Sequence, residues 1–151
     1  MVTVGQGRDA FTLAGHSMLL VENKDKDFAQ LVNWGIFNRK DPNFFTNFLM
    51  GRMDYMAITD SAPNLLNHYA GRVRTIWIHP LRLTQRQNSS VLGDIAWWIR
   101  PENMRYRYHF WEKNCATIIR DILAKALGSQ FRKPYDAPNG QTIRSFGMPF
   151  F

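Results

Sequence analysis

The stretch "YHFWEKNCATIIRDILAKAL", residues 108–127, decides how this chain is read. It holds the only cysteine, Cys115, where an aromatic and polar run gives way to helical periodicity. Beyond the cysteine, Ile118, Ile119, Ile122, Leu123, Ala126 and Leu127 recur at three- and four-residue spacing, the pattern of an amphipathic helix. Asn114 is the natural N-cap and Gly128 the stop, so Cys115 falls in the first turn. A helix N-terminus carries roughly half a positive charge and exposes free N–H groups. Both features favour thiolate over thiol, and the same N–H groups suit an oxyanion. The local pattern leaves two readings open: a small buried residue that happens to start a helix, or a nucleophile.

A nucleophile needs a base. His16 sits in "AGHSMLL", behind Gly15, and leads into a β-compatible run at residues 18–21. Across the polar turn "NKDKD", the run "FAQLVNWGIF" returns as the second strand of an antiparallel hairpin. On that strand Asn33 is the polar residue best placed to face His16 and fix its tautomer. The same residue also reads as an ordinary polar position at a strand edge. His109, in the aromatic run near Cys115, is the fallback base. His68 lies in a helix pattern and His79 precedes Pro80 in a strand, so both have weaker cases.

Outward from these segments, "DPNFFTNFLMG" predicts a short amphipathic helix ending at Gly51. "RMDYMAITD" predicts a strand, and "SAPNLLNHYAG" a short helix capped by Ser61 and stopped by Gly71. "RVRTIWIHPLRL" alternates at Val73, Ile76 and Ile78, a strand broken at Pro80. "TQRQNSSVLGDIAWWIRPEN" predicts a helix with a Thr84 cap and an apolar face of Leu92, Ile95, Ala96 and Ile99. "MRYRYHFW" reads as a strand or an extended approach, and residues 129–151 as an irregular Pro- and Gly-rich tail. The whole is a single α+β domain over residues 1–151, a small antiparallel sheet packed against helices.

Length and composition agree: 151 residues with 45% hydrophobic content suit one globular domain. Aromatic residues, 14% of the chain, either fill the core or in part line a cleft. The net charge of +7 favours anionic partners. The basic residues are scattered and carry no nucleic-acid-binding signature, so phospholipid head groups are at least as good a candidate as nucleic acid. No run approaches the roughly 18 apolar residues of a membrane span, and the opening residues are too polar for a signal peptide. A soluble chain, or a soluble piece of something larger, is expected. One cysteine excludes an internal disulfide, and the histidines lack metal-ligand spacing, so neither metal nor cofactor is expected. Nothing in the sequence speaks to oligomeric state.

Taken together, "GHSMLLV", "VNWGIFN", "DPNFFTNFLMGRMDY", "YAGR", "LRLTQRQ" and "RPENMRYRYHFWEKNCATIIRDIL" follow the order of a known family. Over residues 3–130 the chain resembles the N-terminal periplasmic domain of the bacterial lipoprotein N-acyltransferase Lnb. The resemblance implies a circularly permuted papain-like fold, similar to lecithin:retinol acyltransferase, in which the histidine comes first on a strand and the cysteine last at a helix N-terminus. It implies Cys115 as nucleophile, His16 as base and Asn33 as the group that orients the base. Arg52, Tyr55, Tyr106, Tyr108, Asn114, Thr117, Arg120 and Asp121 occupy motif positions; of these, Asn114, Tyr106, Tyr108, Arg52, Tyr55 and Arg120 are implied as substrate-contacting or supporting residues. Trp34 stands where the family more usually has tyrosine, and His109 where an acidic or polar residue is common.

The activity implied is a periplasmic, cysteine-dependent acyl transfer at a membrane surface. An acyl chain would pass from a phospholipid donor, through a Cys115 thioester, to the N-terminal amine of a lipoprotein acceptor. The membrane segments expected of the full-length enzyme are missing from these residues, so an excised catalytic domain or a short family member is implied. The alternative is a papain-like cysteine peptidase or amidase, in which water resolves the thioester on the same dyad. A non-catalytic binding domain is disfavoured by the intact His–Cys pair.

Overall fold

The computed structural model describes residues 1–8, 12–38 and 40–132. In chain order the strands are β1 (Val2–Val4), β2 (His16–Asn23), β3 (Phe28–Phe37), β4 (Asp54–Ser61), β5 (Ile76–Ile78) and β6 (Arg105–Arg107). The helices are α1 (Phe44–Leu49), α2 (Ala62–Ala70), α3 (Gln85–Trp98), α4 (Cys115–Leu127) and α5 (Ser129–Arg132). The strands form one antiparallel sheet in the order β5-β1-β2-β3-β4-β6. This is an α+β domain, as expected. No helix among the described residues is long and apolar enough to cross a membrane.

The sheet is buried on both faces, which explains why β3 reads as a nearly continuous apolar run. Successive strand residues point to opposite faces. One set of side chains, Val2, Val4, Met18 and Leu31, packs with Ala62 and Leu65 of α2. The alternate set, Leu19, Val32 and Trp34, packs with Val91 and Ile95 of α3 and with Ile118, Ile119, Ile122 and Leu123 of α4. Each of those α4 side chains, withdrawn from water, contributes about 1.5–3 kcal/mol as an upper bound. That burial pins α4 against the sheet and so fixes where its N-terminus lies.

The α4 ends are those the sequence predicts. Asn114 Oδ1 accepts from the N–H groups of Ala116 (2.9 Å) and Thr117 (3.0 Å). Thr117 Oγ1 accepts from the Asn114 N–H at 2.8 Å, completing a capping box. A second capping box, Thr84 with Gln87, starts α3.

Several details differ from the sequence reading. The sheet begins with β1, a strand too short to show periodicity. Val73 is not part of β5: it has φ of 57° and is 94% exposed, in the turn that ends α2. The inward face of α3 is Val91 and Ile95, while Leu92 and Ile99 are 40% and 39% exposed, so the stripe is rotated from the one expected. Ser61 holds the cap position of α2 without a side-chain bond, and Gly71 ends the helix with a right-handed φ of −62°. The start of the tail is the helical turn α5 rather than irregular chain. The rest of that tail, residues 133–151, lies outside the described residues.

Candidate active site

His16 is the first residue of β2, where the chain enters the sheet beside β1. Gly15 makes that entry: its φ is 74°, and a Cβ there would lie 2.8 Å from the Val4 carbonyl oxygen. The left-handed turn and the close backbone approach both call for glycine. Asn33 pairs with Met18 across the β2–β3 ladder, two residues in from His16 and on the same face. The β3–β4 register shifts between Asn33 and Ile36, an irregularity at Trp34 and Gly35 that re-aims the strand beside the site.

Asn33 is 1% exposed. Its Oδ1 accepts from the Gly35 backbone N–H at 2.8 Å and stands 2.8 Å from His16 Nε2. A backbone N–H only donates, so the atom it meets must be the amide oxygen, and His16 Nε2 must then carry its proton. The Tyr69 hydroxyl, from α2, lies close enough to the Asn33 amide for that amide to favour its charged form. Gly35 leaves the room this needs: a Cβ would come within 2.5 Å of His16 Cε1 and 3.1 Å of Nε2. With Nε2 committed to Asn33, Nδ1 is the nitrogen left for Cys115.

Cys115, at the start of α4, and His16 are close enough that each is the largest influence favouring the other's charged form. Burial pushes the thiol pKa up, but His16, with its imidazolium charge, and the backbone N–H groups of Ser17 and Ala116 outweigh it, so the net shift is downward. Burial likewise pushes His16 down, and Cys115, with its thiolate charge, and the bond to Asn33 outweigh it, so its pKa is raised. Arg74 opposes this, its charge acting against the imidazolium. The two shifts share one cause: the charged form of each group favours the charged form of the other. Shifts in these directions are those that a nucleophile and its proton-transfer partner need.

The other predicted site residues divide into three groups. Tyr55 and Tyr108 stack at 4.2 Å, and Phe37 stacks on Tyr55 at 4.8 Å. Tyr108 feels the Cys115 charge, and burial together with that charge pushes its pKa up to about 12. Among the described residues its hydroxyl has no hydrogen-bond partner. Asn114 and Tyr106 hold the framework: Asn114 caps α4, and the Tyr106 hydroxyl donates to the Trp34 carbonyl. Burial, with the Cys115 charge adding to it, raises the Tyr106 pKa. Arg52 and Arg120 are exposed and not drawn into the site. The Arg52 carbonyl accepts from Arg107, and the Arg120 side chain pairs with Asp121 at 2.8 Å. The fallback base His109 is also turned away, its Nδ1 accepting from the Glu112 N–H at 3.1 Å.

Tyr69 and Gly35 are members of the site that the sequence reading did not single out for roles. Tyr69 follows Ala62 and Leu65 on the inward stripe of α2, a spacing that marks it as inward-facing. A cleft of about 180 Å³ opens beside His16, with Tyr69, Arg72 and Arg74 on its wall.

Comparison with known proteins adds one positive finding. No curated protein and no solved structure matched the chain. The family model described as the Lnb N-terminal periplasmic domain matches residues 2–145, past the limit of the resemblance seen in the sequence. With nearly all of its length covered, the chain belongs to the family of N-terminal periplasmic domains of the lipoprotein N-acyltransferase Lnb.

Proposed function

We propose that this domain is itself the acyl-transferring unit, with Cys115 as nucleophile, His16 as general acid and base, and Asn33 as the orienting group. The observation that supports the proposal is His16 held by Asn33 Oδ1 at 2.8 Å from Nε2, with Cys115 at the start of α4 acting on the same imidazole. Histidine on an early strand and cysteine at the start of a late helix is the order of a circularly permuted papain-like fold, which the domain is proposed to adopt.

The Cys115 thiolate attacks the carbonyl carbon of a phospholipid ester. The carbonyl oxygen takes up the charge at the α4 N-terminus, where the Cys115 backbone N–H stands at the open end of the helix. The Tyr108 hydroxyl is a second donor, kept protonated by its raised pKa. As the ester C–O bond breaks, His16 gives its proton to the departing glycerol oxygen, and a lysophospholipid leaves. The α-amino group of the lipoprotein's N-terminal cysteine then attacks the thioester. His16 takes up the proton lost by nitrogen, the C–S bond breaks, and the thiolate returns. Tyr108→Phe keeps the stack on Tyr55 and removes one donor, so it slows acylation by about 10²–10³. An unchanged rate would remove Tyr108 from the mechanism.

The test in cells is mass spectrometry of a reporter lipoprotein's N-terminal peptide, with this domain in its full-length parent. Cys115→Ala or His16→Ala is expected to leave the peptide diacylated. Triacylated peptide from the Cys115→Ala strain would contradict the proposal, and a thioester resolved only by water in vitro would favour a hydrolase.

A further inference from the structure

The turn after α2 is built unusually. Its N–H groups fold back onto the helix end: Arg72 onto the Tyr69 carbonyl (3.1 Å), Val73 onto Ala70 (2.9 Å) and Arg74 onto Tyr69 (3.3 Å). These bonds hold Val73, a β-branched residue, at φ of 57°, where such side chains are strained. Strain of this kind persists where the surroundings enforce it, and it concentrates at functional sites. Val73 is thrust into solvent between two arginines that both line the cleft beside His16. The same two arginines line a second cleft of about 430 Å³, together with Arg8. Arg74 is buried, donates to the Gly5 carbonyl and lies over the Tyr69 ring at 5.3 Å. Arg72 is exposed, and its guanidinium has no ion pair among the described residues.

Cationic groups at a cleft that reaches the candidate base call for an anion on the substrate. The cleft at His16, about 180 Å³, is below the roughly 300 Å³ at which pockets for larger ligands begin, so it suits a compact polar group rather than an acyl chain. Arginine forks match phosphate oxygens in geometry as well as charge. The neighbouring surface distinguishes a lipid phosphate from a soluble one. Next to the turn, β5 forms the edge of the sheet and leaves Trp77 and Ile78 half exposed, with Leu81 partly exposed beyond it. An exposed valine, a tryptophan and two aliphatic side chains beside arginines are suited to a membrane interface, where apolar groups enter the lipid and cations meet head groups.

We propose that the Arg72–Val73–Arg74 turn is the head-group subsite for the acyl donor: its arginines bind the phosphodiester of a membrane phospholipid while Val73 and the β5 edge sit in the lipid surface. The proposal rests on the acyl-transfer reading above. In a glycerophospholipid only the glycerol separates phosphate from ester, so a phosphate held beside His16 brings an ester carbonyl toward Cys115.

The test compares two acyl donors on the 151-residue chain by intact-protein mass. One is phosphatidylglycerol in vesicles, and the other is a p-nitrophenyl ester, which has no phosphate. Arg72→Glu is expected to lower the ratio of the phospholipid rate to the p-nitrophenyl rate by about tenfold or more, the worth of a charge-assisted bond. Arg72→Lys should restore most of it, and Arg86→Glu, on α3 away from the cleft, should leave the ratio as it is. An unchanged ratio in Arg72→Glu, or an equal fall in Arg86→Glu, would overturn the subsite. Should neither donor acylate Cys115, the acyl-transfer reading fails and sedimentation with vesicles still tests the subsite. A preference for phosphatidylglycerol over uncharged glycosyl diacylglycerol that Arg72→Glu abolishes supports it. A preference that survives Arg72→Glu, or inorganic phosphate bound with no preference for vesicles, overturns it.

Discussion

His16 Nε2 stands 2.8 Å from Asn33 Oδ1, and the Gly35 N–H donates to the same oxygen. One buried amide oxygen therefore sets both the tautomer and the tilt of the imidazole. Asn33→Ala removes that acceptor and leaves the ring free to turn. Acylation of Cys115 by an activated ester should slow on the order of tenfold, less than the 10²–10⁴ that a general base contributes. Loss as complete as in His16→Ala would mean that Asn33 does more than orient. No loss would mean that the ring is held by other groups.

Gly35→Ala tests the same contact by crowding. The added methyl would lie 2.5 Å from His16 Cε1, and the neighbouring strands leave the backbone little freedom to yield. Overpacking should cost about 1–3 kcal/mol in denaturant unfolding. The displaced ring should also release the thiol, so its titration moves up toward that of a free cysteine. An unaltered thiol titration in folded Gly35→Ala would show that the contact does not position His16.

The thiol is expected to react as a thiolate well below the free-cysteine pKa of about 8.5. His16 and the N–H groups of Ser17 and Ala116 are the groups that lower it. Iodoacetamide rates measured against pH should show that low midpoint in the wild type and a higher one in His16→Ala. A midpoint near the free value in both proteins would rule out the pair.

Much of this site is legible in the sequence because its pieces are local. The Asn114 cap, the spacing after Cys115 and the Gly128 stop are set within one helix, and all three recur in the fold. The hairpin register that brings Asn33 to His16 follows from two runs joined by a short turn. What was not legible depends on contacts distant in sequence. Tyr69 meets Asn33 only because α2 packs on that face of the sheet. β1 is a three-residue strand that exists through its pairing with β2 and β5. Val73 continues an alternating pattern, yet the backbone bonds closing α2 override it. Arg52 and Arg120 matched family motif positions, but residue type and order do not say which way a side chain points, and both stand in solvent.

The same pair shapes stability against pH. His16 has its pKa raised in the fold, so its contribution is present below the unfolded value of about 6.5 and is lost as pH rises through the folded value. Cys115 has its pKa lowered, so its contribution is present above the unfolded value of about 8.5 and is lost as pH falls through the folded value. Taken together, the folded pair and the unfolded chain each hold one proton between about pH 6.5 and 8.5, and the pair's stabilisation is level there. Below that window the unfolded chain takes up a further proton, and above it the unfolded chain loses its proton first, so the stabilisation falls on both sides. The difference in urea midpoint between wild type and Cys115→Ala should therefore peak across that window. A difference that rises steadily with pH would contradict a thiolate–imidazolium pair.

The central claim is that Cys115 carries the acyl group. The most direct measurement is the intact mass of the chain after incubation with phosphatidylglycerol vesicles, followed by peptide mapping. The account predicts a gain of one acyl chain on the peptide containing Cys115, removable by hydroxylamine and absent from Cys115→Ala. An acyl group on any other residue, or an equal gain in Cys115→Ala, would contradict it.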